Sequence, residues 1–186
     1  MPTDAIKKLA EIIAVEKRHN CSNGSIELRE KSAAALNHVL VSGVGEDVVA
    51  IHLDKIGFAD KVLINGHNAR RACDAVIFCQ IDKQGFILIL DLKSSTPSDE
   101  KHILQLVSGD CFADYLLAVL KRFEKTEVTD GWQRRYFIFH CGNNKRTTLP
   151  EYVQNPPHNN RADKAHILLV NNSETVSLRK LLNKPL

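Results

Sequence analysis

Asp74-Ala-Val-Ile-Phe-Cys-Gln-Ile-Asp-Lys-Gln-Gly-Phe-Ile-Leu-Ile-Leu-Asp-Leu-Lys93 reads as two strands and a short turn. Residues 75–81 and 86–91 are rich in β-branched and aromatic side chains. Asp82-Lys-Gln-Gly85 joins them, and a connection of that length containing Gly predicts an antiparallel hairpin. Phe86-Ile-Leu-Ile-Leu90 is apolar at every position, as in a central strand buried on both faces. In such a hairpin the start of one strand lies beside the end of the next, which makes Asp74 and Asp91 neighbours at one end of the sheet. Asp91 and Lys93 are two apart and share a face, while Leu92 points into the opposite layer. Three charged groups therefore converge beside a buried apolar strand, where an uncompensated charge is costly.

Outward from the hairpin, the pattern predicts an α/β fold. Thr3 and Asp4 precede Ile6, Leu9, Ile12, Ile13 and Val15, the spacing of an amphipathic helix ending near His19-Asn20. Ser25 is placed to cap a second helix through Ile26, Ala33, Leu36 and Leu40 to Gly43. Val48 to Leu53 and Lys61 to Ile64 read as strands. Thr96-Pro97-Ser-Asp-Glu100 opens a long helix reaching about Glu124, with Gly109 in its middle. Tyr136 to His140 and His166 to Val170 are further strands, and a short helix near Ser177 to Leu182 follows. Between them, residues 142–165 form a polar loop with Pro156-Pro157 and the cations Lys145, Arg146, Arg161 and Lys164, a length usually reserved for function or mobility. The sum is one domain over residues 1–186, a mixed central sheet of about five strands flanked by helices.

Composition bounds the function. With 25 Lys plus Arg against 22 Asp plus Glu, the 186-residue chain carries a net charge of +3, far from the strongly basic balance of a duplex-coating protein. At 44% hydrophobic and 25% charged it is an ordinary globular composition, neither collagenous nor disordered. The longest apolar run, Phe86 to Leu90, is strand-sized, and the opening Met1-Pro-Thr-Asp lacks the apolar core of a secretory signal; the expected compartment is the cytoplasm, away from membranes. Five widely spaced cysteines without a Cys-x-x-Cys pair read as free thiols rather than a zinc site.

Two carboxylates close together repel unless a cation neutralises them, and a hard divalent ion, Mg²⁺ or Mn²⁺, suits such oxygen donors together with water and substrate phosphate. Lys93 on the same face is placed to orient an attacking water or to stabilise charge growing on phosphorus. Asp74, seventeen positions before the Asp91-Leu92-Lys93 run that closes an apolar strand, resembles the motif of the PD-(D/E)XK nuclease superfamily, the restriction-endonuclease-like fold. The inferred order of helix, three strands, helix and strand over about residues 25–140 resembles that family's core. Cys73 stands where the motif's proline is expected.

The resemblance implies that Asp74, Asp91 and the main-chain carbonyl of Leu92 hold the metal, and that Lys93 supports the attacking water. It also implies an acid from the preceding helix. Helical geometry favours Glu30 on the apolar side, with Glu27 second and Glu46 or Asp47 as substitutes. From the long helix it implies a Gln or Lys facing the site, here Gln105 and Lys101. Arg70 and Arg71 before the first acid, Arg134 and Arg135 beside Trp132, and Lys145 and Arg146 are candidate phosphate contacts. The expectation is a metal-dependent nuclease acting on nucleic acid, DNA by the resemblance, in defence or repair, as a homodimer or with a partner subunit. A non-catalytic binding or assembly subunit of the same fold is the alternative.

Overall fold

In the computed structural model, which describes residues 4–29, 38–53, 71–93, 101–128, 131–140, 160–170 and 173–182, the central hairpin forms as its pattern dictates. Strand β5 (Ala75–Ile81) and strand β6 (Gln84–Lys93) pair antiparallel from Ala75↔Leu90 to Ile81↔Gln84. The connection is two residues rather than four. Asp82 and Lys83 take φ of 53° and 66°, the paired positive values of a turn whose twist matches that of the strands. Gly85 is then part of β6, where a Cβ would stand 2.8 Å from the Trp132 ring.

The hairpin is the middle of a five-stranded mixed sheet ordered β4-β5-β6-β7-β8, with β4 at Val48–His52, β7 at Gln133–His140 and β8 at His166–Leu169. β4 is antiparallel to β5, while β6, β7 and β8 run parallel. One end of the sheet thus collects the last residues of β4, β6, β7 and β8 and the first of β5. Parallel β6 and β7 need a crossover, and helix α2 (Lys101–Arg122) supplies it.

The described residues 25–29 and 38–43 do not form the expected second helix. β2 (Ser25–Arg29) and β3 (His38–Ser42) pair antiparallel, with β1 (Cys21–Ser22) on one side and β9 (Glu174–Ser177) parallel to β3 on the other. The decisive pattern is alternation: Ile26, Leu28, Val39 and Val41 are buried and their neighbours are not. The apparent helical spacing bridges two strands of one sheet. Asn23 and Gly24, at φ 51° and 68°, form the tight turn between β1 and β2 where the sequence suggests a helix stop. β9 is an addition to the expected strands, and the closing helix α3 is only Leu178–Leu181.

Alternation along the central strands sorts the interior into two layers. Val76, Phe78, Ile87, Ile89, Tyr136 and Ile138 face α2 and helix α1 (Asp4–Ile12). Ile77, Leu88, Leu90, Leu92, Phe137 and Phe139 face the small sheet and α3. The central sheet is therefore covered by helices on one side and by a second sheet on the other, a correction to helices on both. α1 ends at Ile12, short of His19, and a 3₁₀ turn at Val15–Lys17 leads to the His19 N–H, which donates to the Ala50 carbonyl at 2.9 Å. The expectation that no segment is long and apolar enough to span a bilayer also fails: His102–Arg122 has a mean hydropathy of 1.5 over its most apolar stretch. One face of that helix, with Leu106, Ala113, Leu116 and Leu120, is buried on the sheet. The expected strand at Lys61 to Ile64 lies outside the described residues.

Candidate functional site

The site grows from the register of the hairpin. Ala75 pairs with Leu90, so the next step outward sets Asp74 opposite Asp91, and the Asp74 N–H donates to the Leu90 carbonyl at 3.1 Å. Asp91 and Lys93 continue the row of Ile87 and Ile89 under the helices, and Leu92 turns into the other layer. The two acids and the lysine are brought together at the sheet end where β6 and β7 terminate.

Asp91 has no solvent exposure. Lys93 Nζ stands 2.7 Å from its Oδ2 as an ion pair, and neither carboxylate oxygen makes a well-formed hydrogen bond among the described residues. Burial, and then the neighbouring Asp74 carboxylate, push the Asp91 carboxyl up to about 8, with Lys93 opposing them. Asp74 is held from the side: its Oδ2 accepts the Leu92 N–H at 2.6 Å. The backbone between acid and lysine thus fixes the other acid.

Helix α2 starts at this end of the sheet because it continues from β6. It comes closest at Gly109, where an added Cβ would lie 2.6 Å from Cys73 Sγ and 2.8 Å from Ile89 Cγ2. One turn nearer the helix start, Gln105 Nε2 donates to the Ala72 carbonyl at 3.0 Å and pins the segment entering Asp74. Buried Cys73 has its thiol pushed well up by burial and by the two acids, so it is inert packing rather than a nucleophile.

The remaining candidates divide by position. Arg71, partly exposed, is three residues before Asp74, and Lys101 opens α2 at the same end. Arg134 and Arg135 are at the start of β7, opposite Ile87 and Leu88, four and three residues from the level of Asp91, roughly 10–13 Å along the strands at about 3.3 Å per residue. Arg134 is bound there by Asp110 at 2.9 Å and by Asp114. Trp132 packs edge-on against Phe78, with ring centroids 5.8 Å apart. Glu27 is on β2, paired with Arg29 at 2.7 Å, not on a helix. Glu46 and Asp47 precede β4 at the far end of the sheet. Glu30, Arg70, Lys145 and Arg146 lie outside the described residues. Among the described residues no three His, Cys, Asp or Glu side chains gather as a ready metal cluster.

His140 is the residue that spacing alone misses. It pairs with Lys93 in the parallel register of β6 and β7, shares the helix-side face with Tyr136 and Ile138, and is 7% exposed. Its place at the end of an apolar run parallel to the one ending in Lys93 is the signal that could have found it. No family model, curated protein or solved structure matches the chain.

Proposed function

We propose that the chain is a divalent-metal-dependent nuclease of the restriction-endonuclease-like fold that hydrolyses phosphodiester bonds in DNA. The observation that carries this reading is the opposition of Asp74 and Asp91, with Lys93 on the same face, at the end of the sheet where the parallel strands terminate. Open α/β sheets bind ligands at that end. The order α1, three antiparallel strands of the central sheet, α2 and β7 supports the same fold, with the β1 to β3 strands inserted after α1.

The donor set fits a hard cation. Two carboxylates share a buried place, and an Asp91 carboxylate offset only by the Lys93 ammonium is a costly arrangement that Mg²⁺ or Mn²⁺ would relieve. Asp74, Asp91 and the Leu92 carbonyl would hold it. Such an ion, when bound, supplies Lewis-acid polarisation of the phosphate and a more acidic water. The residues do the positioning: the Leu92 N–H aims Asp74, Gln105 anchors the strand entrance, and Lys93 offers a compact charge to the attacking water or the phosphate. Arg71 and Lys101 flank this end as phosphate contacts, and Arg70, Lys145 and Arg146 are the further cations of the reading. The near-neutral charge favours a second copy or a partner subunit for firm DNA binding in the cytoplasm.

The test is incubation of plasmid, linear and single-stranded DNA, and RNA, with the protein in Mg²⁺, Mn²⁺ or EDTA, alongside Asp91→Ala and Lys93→Ala. Cleavage that needs metal and vanishes in both variants is expected. Cleavage surviving both substitutions would place the chemistry elsewhere, and a wild type that neither cleaves nor binds metal would leave the assembly subunit.

A further inference from the structure

The ion pair at the site is arranged as a placeholder. Lys93 Nζ is 2.7 Å from Asp91 Oδ2, inside a layer where Asp91 is fully buried and the lysine side chain is 18% exposed. An ammonium there meets the same need as a divalent cation, since it offsets two acids that would otherwise repel in a poorly solvated place. An ion held by the Asp91 carboxylate and an ammonium held at its Oδ2 crowd one buried group. An ion about 2.1 Å from that oxygen and an ammonium at hydrogen-bond distance from it would be like charges only a few ångströms apart in a low-dielectric setting. The acids cannot yield, because Asp91 is inside a paired strand and Asp74 is tied to the Leu92 N–H at 2.6 Å. The lysine can: it is the last residue of β6, with a flexible stem of four carbons and an exposed fraction leading to solvent.

We propose that Lys93 is a resident counter-cation exchanged for the divalent metal, so that metal binding and release of the Lys93 ammonium from Asp91 are one event. This rests on the metal-site reading above. It explains how one lysine can stabilise the metal-free fold and yet be available to water or phosphate once the acids are engaged. Linkage makes the relation reciprocal: whatever the metal must displace weakens its binding.

The experiment is calorimetric titration of the full chain with Mg²⁺ and with Ca²⁺, wild type beside Lys93→Met and Asp91→Asn, joined to NMR of protein carrying ¹⁵N-lysine. Removing the competing ammonium should tighten metal binding about tenfold, and Asp91→Asn should abolish it. The wild-type Lys93 Nζ signal, identified by its absence from the Lys93→Met or Lys93→Arg spectrum, should pass from a protected to a solvent-exchanging state as metal is added. A nearby charge that does not exchange would also weaken binding, but its signal would stay protected. Wild-type metal binding with an unmoved Lys93 signal therefore overturns the exchange and leaves the metal site standing. A wild type that binds neither ion overturns both. Should Lys93→Met fail to fold, the wild-type signal, assigned through Lys93→Arg, decides alone.

Discussion

Asp91 is the residue on which stability and chemistry pull in opposite directions. Its carboxyl, ordinarily near 3.8, is pushed up to about 8 by burial and by Asp74, so the folded chain holds this proton more tightly than the unfolded chain does. A raised folded value means that stability is fully present below the unfolded value and is lost as pH rises through the folded one. Urea denaturation in EDTA should accordingly show the wild type losing stability between about pH 4 and pH 8 relative to Asp91→Asn, whose neutral amide carries no such linkage. The two proteins should differ least near pH 4 and most at pH 9, with Asn the more stable at the higher pH. Equal slopes for both would show that Asp91 ionises without opposition. The residue's place is legible in the sequence, because hairpin register alone sets Asp74 against Asp91. Its depth is not, since full burial depends on α2 closing over the row of Ile87, Ile89 and Asp91.

At the scale of elements, the contact of α2 with the β5 and β6 entrance is the most exacting. Gly109→Ala gains about 1 kcal/mol of helix propensity, yet its Cβ would meet Cys73 Sγ at 2.6 Å and Ile89 Cγ2 at 2.8 Å, both fully buried. Overpacking of this kind costs about 1–3 kcal/mol, so a net loss of about 1 kcal/mol is expected in the urea midpoint. Adding Cys73→Ala should recover part of it by removing the nearer of the two struck atoms; no recovery would mean that Cys73 Sγ is not what the added Cβ strikes. In the turn, Lys83 at φ 66° takes a conformation that costs a side-chain-bearing residue about 1 kcal/mol, and Lys83→Gly should raise thermal stability slightly. The same elements show what a sequence reveals. β5 and β6 declare themselves because both strands and their turn are contiguous. The β2 and β3 pair misleads: Ile26, Ala33 and Leu40 imitate a helical face, and the sheet also depends on β9, some 135 positions beyond β3. The telling signal is Asn23-Gly24, whose joint tolerance of positive φ favours a hairpin over a helix cap. With that helix goes the reason for choosing Glu30, a choice built on helical angles.

Across the whole molecule, a net charge of +3 conceals an uneven division of cations between the two ends of the central sheet. Arg134 is committed to Asp110 and Asp114 on α2, and Arg135 donates to the Arg134 carbonyl at 2.8 Å and to Gln133 Oε1 at 2.9 Å. Together they tie the start of β7 to its surroundings at the end away from the acids. Arg71 and the start of α2 belong to the acid end. If DNA is engaged where Asp74 and Asp91 are, affinity in Ca²⁺, followed by fluorescence anisotropy, should fall in Arg71→Ala and hold within about twofold in Arg134→Ala and Arg135→Ala. Every cation removed from a phosphate lowers the slope of log affinity against log salt by about 0.9, so Arg71→Ala should flatten that slope and the β7 variants should leave it unchanged. Arg134→Ala should instead lower stability by no more than about 1 kcal/mol, because its pairs are partly solvated. The reverse pattern, with β7 variants losing affinity and Arg71→Ala retaining it, would move the nucleic-acid surface to the far end of the sheet. The phosphates contacted there would be roughly 10–13 Å along the strands from Asp91, far beyond a metal–oxygen bond of about 2.1 Å, and the acid pair would then require another explanation.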